Sequence, residues 1–343
     1  MLLYGLLMAE MACYYPKSGG VYVFPAKAFR GLRGKFLGWL SCWSYIIGNF
    51  AAIAFSAIYV GVYLGAVFPG LASLQTPIAI AALLFVLVLN IIKIKRTGQI
   101  NNIMVAALIV FMIIFACVAI SNSSFDIKNF VPFFAQGQAG TFGFVSMIPI
   151  ALMSYSAIVA VAFMANEVEN PKKTIPRASF ISIIVLAILY CLILFATLGI
   201  VTADYLSSNP DLEMIPLFAA CAQMVDRPWL TYIISFASVI ALVTTILVIV
   251  SLNAWAIQAS AEDGVLPRAF SHKSKYGQPI IGLIITVVIS AIICLFPNFV
   301  NEIVNLGVLF NIITIFIVVI ALMFARKCEK LPKNAFRVKG GAF

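Results

Sequence analysis

SMIPIALMSYSAIVAVAFMANEVENPKKTIPR, residues 146–177, begins as a run apolar enough to cross a bilayer and ends in a basic, proline-marked turn. In the middle of the run stand Ser154, Tyr155 and Ser156, at a depth where lipid supplies no water to satisfy them. Two readings fit these residues. One is an interhelical hydrogen-bond site, worth about 0.6 kcal/mol per bond in a membrane. The other is a broken helix, whose freed backbone groups line a cavity and meet the carboxylate or ammonium of a zwitterionic solute. The cluster lies roughly halfway between Thr141 and Ala165, the depth at which transporter sites are found. Downstream, Asn170-Pro171 and Ile175-Pro176 end one helix and open the next, with Lys172, Lys173 and Arg177 holding the turn.

Outward from this stretch the chain keeps the same character. Of its 343 residues 63% are hydrophobic and 10% charged, with a mean hydropathy of +1.09, a composition that leaves a soluble domain no polar surface and implies a polytopic membrane protein. Runs long enough to cross about 30 Å of hydrocarbon are Phe36–Ala66, Pro77–Ile92, Gln99–Ile120, Thr141–Ala165, Ala178–Thr202, Trp229–Gln258, Pro279–Pro297 and Ile303–Ala325. An incomplete run, Met1–Tyr15, makes a ninth segment. The connections alternate sharply in basic content: of the 22 Lys and Arg, only Lys128 and Arg227 fall in one set of loops. The positive-inside rule therefore places the other set and the C-terminus in the cytoplasm of a cell whose cytoplasmic membrane holds the protein. The net charge of +10 is then topological and implies the lipid bilayer, with no nucleic acid partner. Trp39, Trp43 and Trp229 fall near span ends, where indoles anchor at the interface. Seven cysteines are scattered without CxxC or Cys/His spacing, which points to packing and implies neither disulfides nor a metal.

Within the hydrocarbon depth Glu10 is the one ionisable candidate, and His272, the sole histidine, falls in a loop. Intramembrane aspartyl or serine proteolysis and prenyl-diphosphate chemistry need span acids or bases that are missing, so no enzyme and no cofactor is expected. Three further stretches stand out. AEMACYYPKSGGVYVF, residues 9–24, puts Glu10 before a Pro and a Gly pair that stop a helix. GWLSCWSYIIGNFAAIAFSAIYVGVYLG, residues 38–65, carries small residues at Gly48, Ala51, Ala52, Ser56 and Gly61 that permit close helix packing. Packing explains least why that span holds Tyr45 and above all the costly amide Asn49. The third is AEDGVLP, residues 261–267.

Together these stretches resemble the amino acid-polyamine-organocation superfamily of permeases. The matching motifs are Glu10 to Tyr22, the Ile47-Gly48-Asn49 span, EVENPKKTIPR at Glu167 to Arg177, and Ala261 to Pro267, in order across essentially the whole chain. The resemblance implies an all-α membrane fold of two five-helix inverted repeats plus two trailing helices, working by alternating access. On that plan residues 1–343 form a single transmembrane domain, with 1–120 the remainder of the first repeat, 141–325 the second and 326–343 a cytoplasmic tail. In the family the first and sixth helices unwind around the substrate's amino and carboxylate groups. Thr141–Ala165 corresponds to the sixth, and Ser154, Tyr155, Ser156 and Ala157 to its unwound segment, although relatives often have Gly at the Ala157 position. Asn49 and Tyr45 match the third helix, which contributes contacts in relatives, and Asn253 lies on the eighth, which lines the cytoplasmic pathway.

The function expected is a secondary carrier of amino acids or related amines; the alternative is a non-transporting membrane subunit, or an inactive fragment of such a permease. Some relatives carry a lysine in the fifth helix and others a serine-threonine pair on the eighth. Gln99–Ile120 has no lysine, and Thr244 and Thr245 lie toward the outer half, so exchange or facilitated movement is expected over tight proton coupling. With no acid facing the predicted site, a neutral amino acid is favoured. Met1–Tyr15 is about 22 Å long as a helix and begins apolar at its first residue, and the second repeat's inverted mate would need a span before it. Ala335 to Gly341 resembles the lead into an eleventh helix. The chain is therefore expected to lack the first and the last two helices, to leave a groove beside Ser154–Ala157, and to be transport-inactive in isolation until a first helix is restored.

Overall fold

The computed structural model describes residues 2–15, 17, 19–91, 94–131, 155, 160–163, 170–209, 212, 215–328 and 336–338. Among them the regular structure is helical, in twelve α-helices. These are α1 Leu2–Tyr14, α2 Gly20–Phe29, α3 Gly31–Val67, α4 Gln75–Ile91, α5 Ile94–Ile120, α6 Ala160–Phe163, α7 Pro171–Ile200, α8 Ala203–Ser207, α9 Pro216–Gln223, α10 Pro228–Glu262, α11 Ile280–Cys294 and α12 Val300–Cys328. Among the described residues six helices are long and apolar enough to cross a membrane, and α1 and α11 are shorter apolar helices. Most of Thr141–Ala165 lies outside the described residues.

α3 is the pillar. Its 37 residues contain no proline, so nothing interrupts the backbone ladder, and at about 1.5 Å per residue it runs well past the hydrocarbon thickness. Helices α2, α4, α10, α11 and α12 all pack against it. α10, 35 residues long, runs antiparallel to α3: the Lys35 ammonium near the start of α3 donates to the Asp263 carbonyl just past the end of α10, at 2.8 Å. Lys35, Asp263, Arg326 and Lys273 mark one end of the bundle, the basic end.

Glycines set the closest approaches. A Cβ on Gly48 of α3 would lie 2.5 Å from the Asn311 amide nitrogen and 2.8 Å from the Gly307 carbonyl of α12. The small-residue pattern read from the sequence is thus a packing seam, with two backbones drawn together by the absence of side chains. Three apolar clusters follow from this frame. One joins α1, α2, α3, α10 and α12 at the basic end around Met8, Phe24, Ile46 and Phe163; one joins α3, α4, α10 and α11 around Ile53, Leu83 and Leu247; one joins α5, α7, α9 and α10 around Phe115, Met224 and Leu230.

Three departures from the sequence reading have physical causes. α2 was placed among the basic connections, yet it is a helix with Val21, Tyr22, Phe24 and Ala28 buried; the nearby Lys27, Arg30 and Arg33 hid a short apolar face. Gly19, at φ 89°, turns the chain into it, and any Cβ there would collide with that of Ala259 on α10, so this glycine serves both the left-handed turn and the contact. α7 opens at Pro171 as the sequence reading had it, after Asn170 in the left-handed region at φ 52°, but it carries Pro176 within the helix, so the helix begins seven residues before the apolar run at Ala178. Finally, Pro279–Pro297 reads as a full span, but α11 has 15 residues and gives way to a turn before the short helical turn Pro297–Phe299, about 22 Å of helix.

Candidate functional site

Tyr45, Asn49 and Asn253, singled out separately in the sequence, form one buried group between α3 and α10. The Asn49 amide donates from Nδ2 to Oδ1 of Asn253 at 2.8 Å. Tyr45, one turn earlier on α3, is hydrogen-bonded to Asn49. Asn49 is 4% exposed and Asn253 0%. Asn253 is thus fully buried, and among the described residues its Nδ2 has no hydrogen-bond partner. Such a group is costly to bury unpaired, which marks the cluster as a place where a polar partner is wanted.

The surroundings bring further elements to the same point. The Tyr45 ring stacks on Phe163 of α6 at a centroid distance of 5.6 Å, and Tyr4 of α1 belongs to the same buried cluster as Tyr45. Residues 160–163, the first helix, the pillar and α10 thus contribute to one buried cluster that includes this tyrosine. Asn49 stands fourteen residues beyond Lys35 and Asn253 ten before Asp263, about 21 and 15 Å along their helices from the basic end. Both distances put the amides near the middle of a 30 Å hydrocarbon layer.

Of the polar run in the 146–177 stretch, Ser154, Ser156 and Ala157 lie outside the described residues. Tyr155 is described, half-buried, with its ring edge-on to Tyr190 of α7 at 5.4 Å. Thr244 and Thr245 both give their hydroxyls to the Ala241 carbonyl of their own helix at 2.8 Å. A second amide pairs α4 with α10: Asn90 donates to the Leu247 carbonyl at 3.3 Å and accepts from the Ser251 hydroxyl at 2.5 Å. Among the described residues no three His, Cys, Asp or Glu side chains come together as a metal site would require.

At the basic end two polar contacts tie the helices together. The Tyr22 hydroxyl donates to Asp263 Oδ2 at 2.7 Å; burial first, and then this hydrogen bond, raise the phenol far above its ordinary pKa, so Tyr22 stays a donor. The other contact, between Glu10 and Arg326, was not legible in the sequence. Glu10 is 0% exposed, with Arg326 Nε on Oε1 at 2.8 Å and Nη2 on Oε2 at 2.6 Å. The two residues are 316 positions apart, and only the intramembrane acid gave any hint that a basic partner existed.

A family model described as amino acid permease matches residues 1–340. The branched-chain amino acid permease BcaP of Bacillus subtilis (strain 168) is 25% identical over 362 residues, covering 98% of this chain and 73% of the relative. A chloroplastic cationic amino acid transporter of Arabidopsis thaliana is 26% identical over 345 residues, covering 95% of this chain and 57% of the relative. A probable polyamine transporter of the same plant is 24% identical over 282 residues, covering 81% of this chain and 54% of the relative. The chain thus spans between about half and three quarters of the length of these curated relatives.

Proposed function

The chain belongs to the amino acid permease family, and from that premise we propose that it is a secondary carrier that moves amino acids or related amines across the cytoplasmic membrane by alternating access. The family match over residues 1–340 carries the reading. In this account residues 1–120 and 141–325 belong to two inverted repeats of one domain, and the basic end, with the C-terminal segment, faces the cytoplasm, as the distribution of Lys and Arg supports. The substrate site comprises Ser154, Tyr155, Ser156 and Ala157 together with Tyr45, Asn49 and Asn253. The buried amide group near mid-depth supports that assignment, because the Asn253 Nδ2 is a donor in search of an acceptor such as a carboxylate.

The substrate class we favour is a neutral amino acid. Among the described residues Glu10 is the one buried acid, and both its oxygens are taken by Arg326. It is not free to neutralise the side chain of a cationic substrate. Uptake of labelled leucine by membrane vesicles, challenged with unlabelled neutral, cationic and polyamine competitors, tests this. Neutral amino acids should compete strongly and the cations weakly; competition by cations alone would overturn the substrate class. Exchange or facilitated movement remains the coupling we propose, since Thr244 and Thr245 spend their hydroxyls on their own helix.

A further inference from the structure

The Glu10–Arg326 pair is joined by a third element. Val338, from the segment that follows α12, donates its backbone N–H to Glu10 Oε2 at 2.9 Å, and its carbonyl accepts from Arg326 Nη2 at 3.4 Å. Glu10 lies four residues before the end of α1 and Arg326 two before the end of α12. Phe336 packs against the apolar cluster of the basic end. One carboxylate thereby binds the end of α1, the end of α12 and the chain beyond it.

We propose that Glu10, Arg326 and the backbone of Val338 form a releasable latch that holds the basic end of α1 against α12. Three features favour a latch over a fixed brace. An apolar contact would hold two helices as well as a buried ion pair does, since desolvation offsets most of the attraction. Charged groups near a helix end, however, can be rehydrated when the helices part, which lowers the cost of opening relative to exposing an apolar seam. The third partner is a half-buried segment without regular structure among the described residues, Phe336–Val338, so one bond of the network can be lost without unfolding a helix. And α1 also carries Tyr4, which shares a buried cluster with Tyr45 and stands six residues or about 9 Å from Glu10 along the helix. Movement of the latched end is therefore transmitted to the wall of the amide cluster by a single rigid element. The latch adds a release step at the basic end to the transport reading, and its test needs no substrate, so either can fail without the other.

The test is peptide-resolved maleimide labelling of the full chain in membranes at pH 7.5. Cys13, on α1 three residues from Glu10, is 2% exposed and reports opening of that end. Exposed Cys328 is the reactive control. Cys221, buried on α9 with its thiol pushed up to about 12 by burial, is the inert one. Val338→Pro deletes the N–H that reaches Glu10 and leaves the ion pair and every helix intact. It should raise the labelling rate of Cys13 about tenfold, the effect of losing one hydrogen bond to a charged group, with Cys328 and Cys221 unchanged. Glu10→Gln should raise it further. If Cys13 labels at the wild-type rate in both variants, or responds to Glu10→Gln but not to Val338→Pro, the latch is refuted and the ion pair is a static brace.

Discussion

Removing one member of the Asn49–Asn253 pair strands the other between two helices. Asn49→Leu leaves both Oδ1 and Nδ2 of Asn253 without a partner among the described residues at 0% exposure, a loss of about 1–3 kcal/mol. Replacing both amides removes the stranded group as well. The thermal midpoint of Asn49→Leu in detergent should fall by several degrees, and the double variant Asn49→Leu/Asn253→Leu should recover much of that loss while transport stays abolished. A double variant that transports normally would take the pair out of the site. At this scale the sequence was informative where a residue was chemically out of place. An amide in a span stood out by type alone, so Asn49 could be named before its contact was known, while Asn253 was named through the family resemblance. Arg326 could not be, because a cation at a span end is what any interface anchor looks like, and its partner is remote in the chain.

The elements were legible to the extent that hydrophobic length decides them. The long runs read from the sequence became α3, α4, α5, α7, α10 and α12, because a lipid-exposed backbone leaves helix as the only open solution. α2 escaped because its apolar face spans only ten residues and is covered by α3 and α12, a tertiary fact with no counterpart in local hydropathy. Close approach was foreshadowed by small residues, but their partners were not. Gly48 meets Gly307 and Asn311, and the pairing emerges only once α3 and α12 lie side by side. Gly48→Ala should therefore cost about 1–3 kcal/mol by overpacking and lower the melting temperature measurably. Gly70→Ala, whose Cβ would meet nothing within 4 Å, should leave it unchanged. Equal melting temperatures for the two variants would show that the α3–α12 seam is looser than described.

At the scale of the whole molecule, composition announced a membrane protein and the ordered motifs announced the permease family, to which the chain belongs over residues 1–340. Substrate choice stayed illegible, since it depends on which polar groups are left unpaired once the helices pack. Glu10 illustrates this: in the sequence it is the one ionisable candidate within the hydrocarbon depth, and in the fold it is taken by Arg326 and Val338. The central claim is that the protein carries amino acids through a site that includes the 146–177 stretch. It is tested most directly by counterflow in vesicles preloaded with unlabelled leucine, prepared from cells with the gene intact, with the gene deleted, and with the single change Tyr155→Ala. The account expects saturable accumulation of labelled leucine with the intact gene, and little or none in the other two, at equal membrane levels of the intact and Tyr155→Ala proteins. Accumulation that survives deletion of the gene, or that is untouched by Tyr155→Ala, would contradict it.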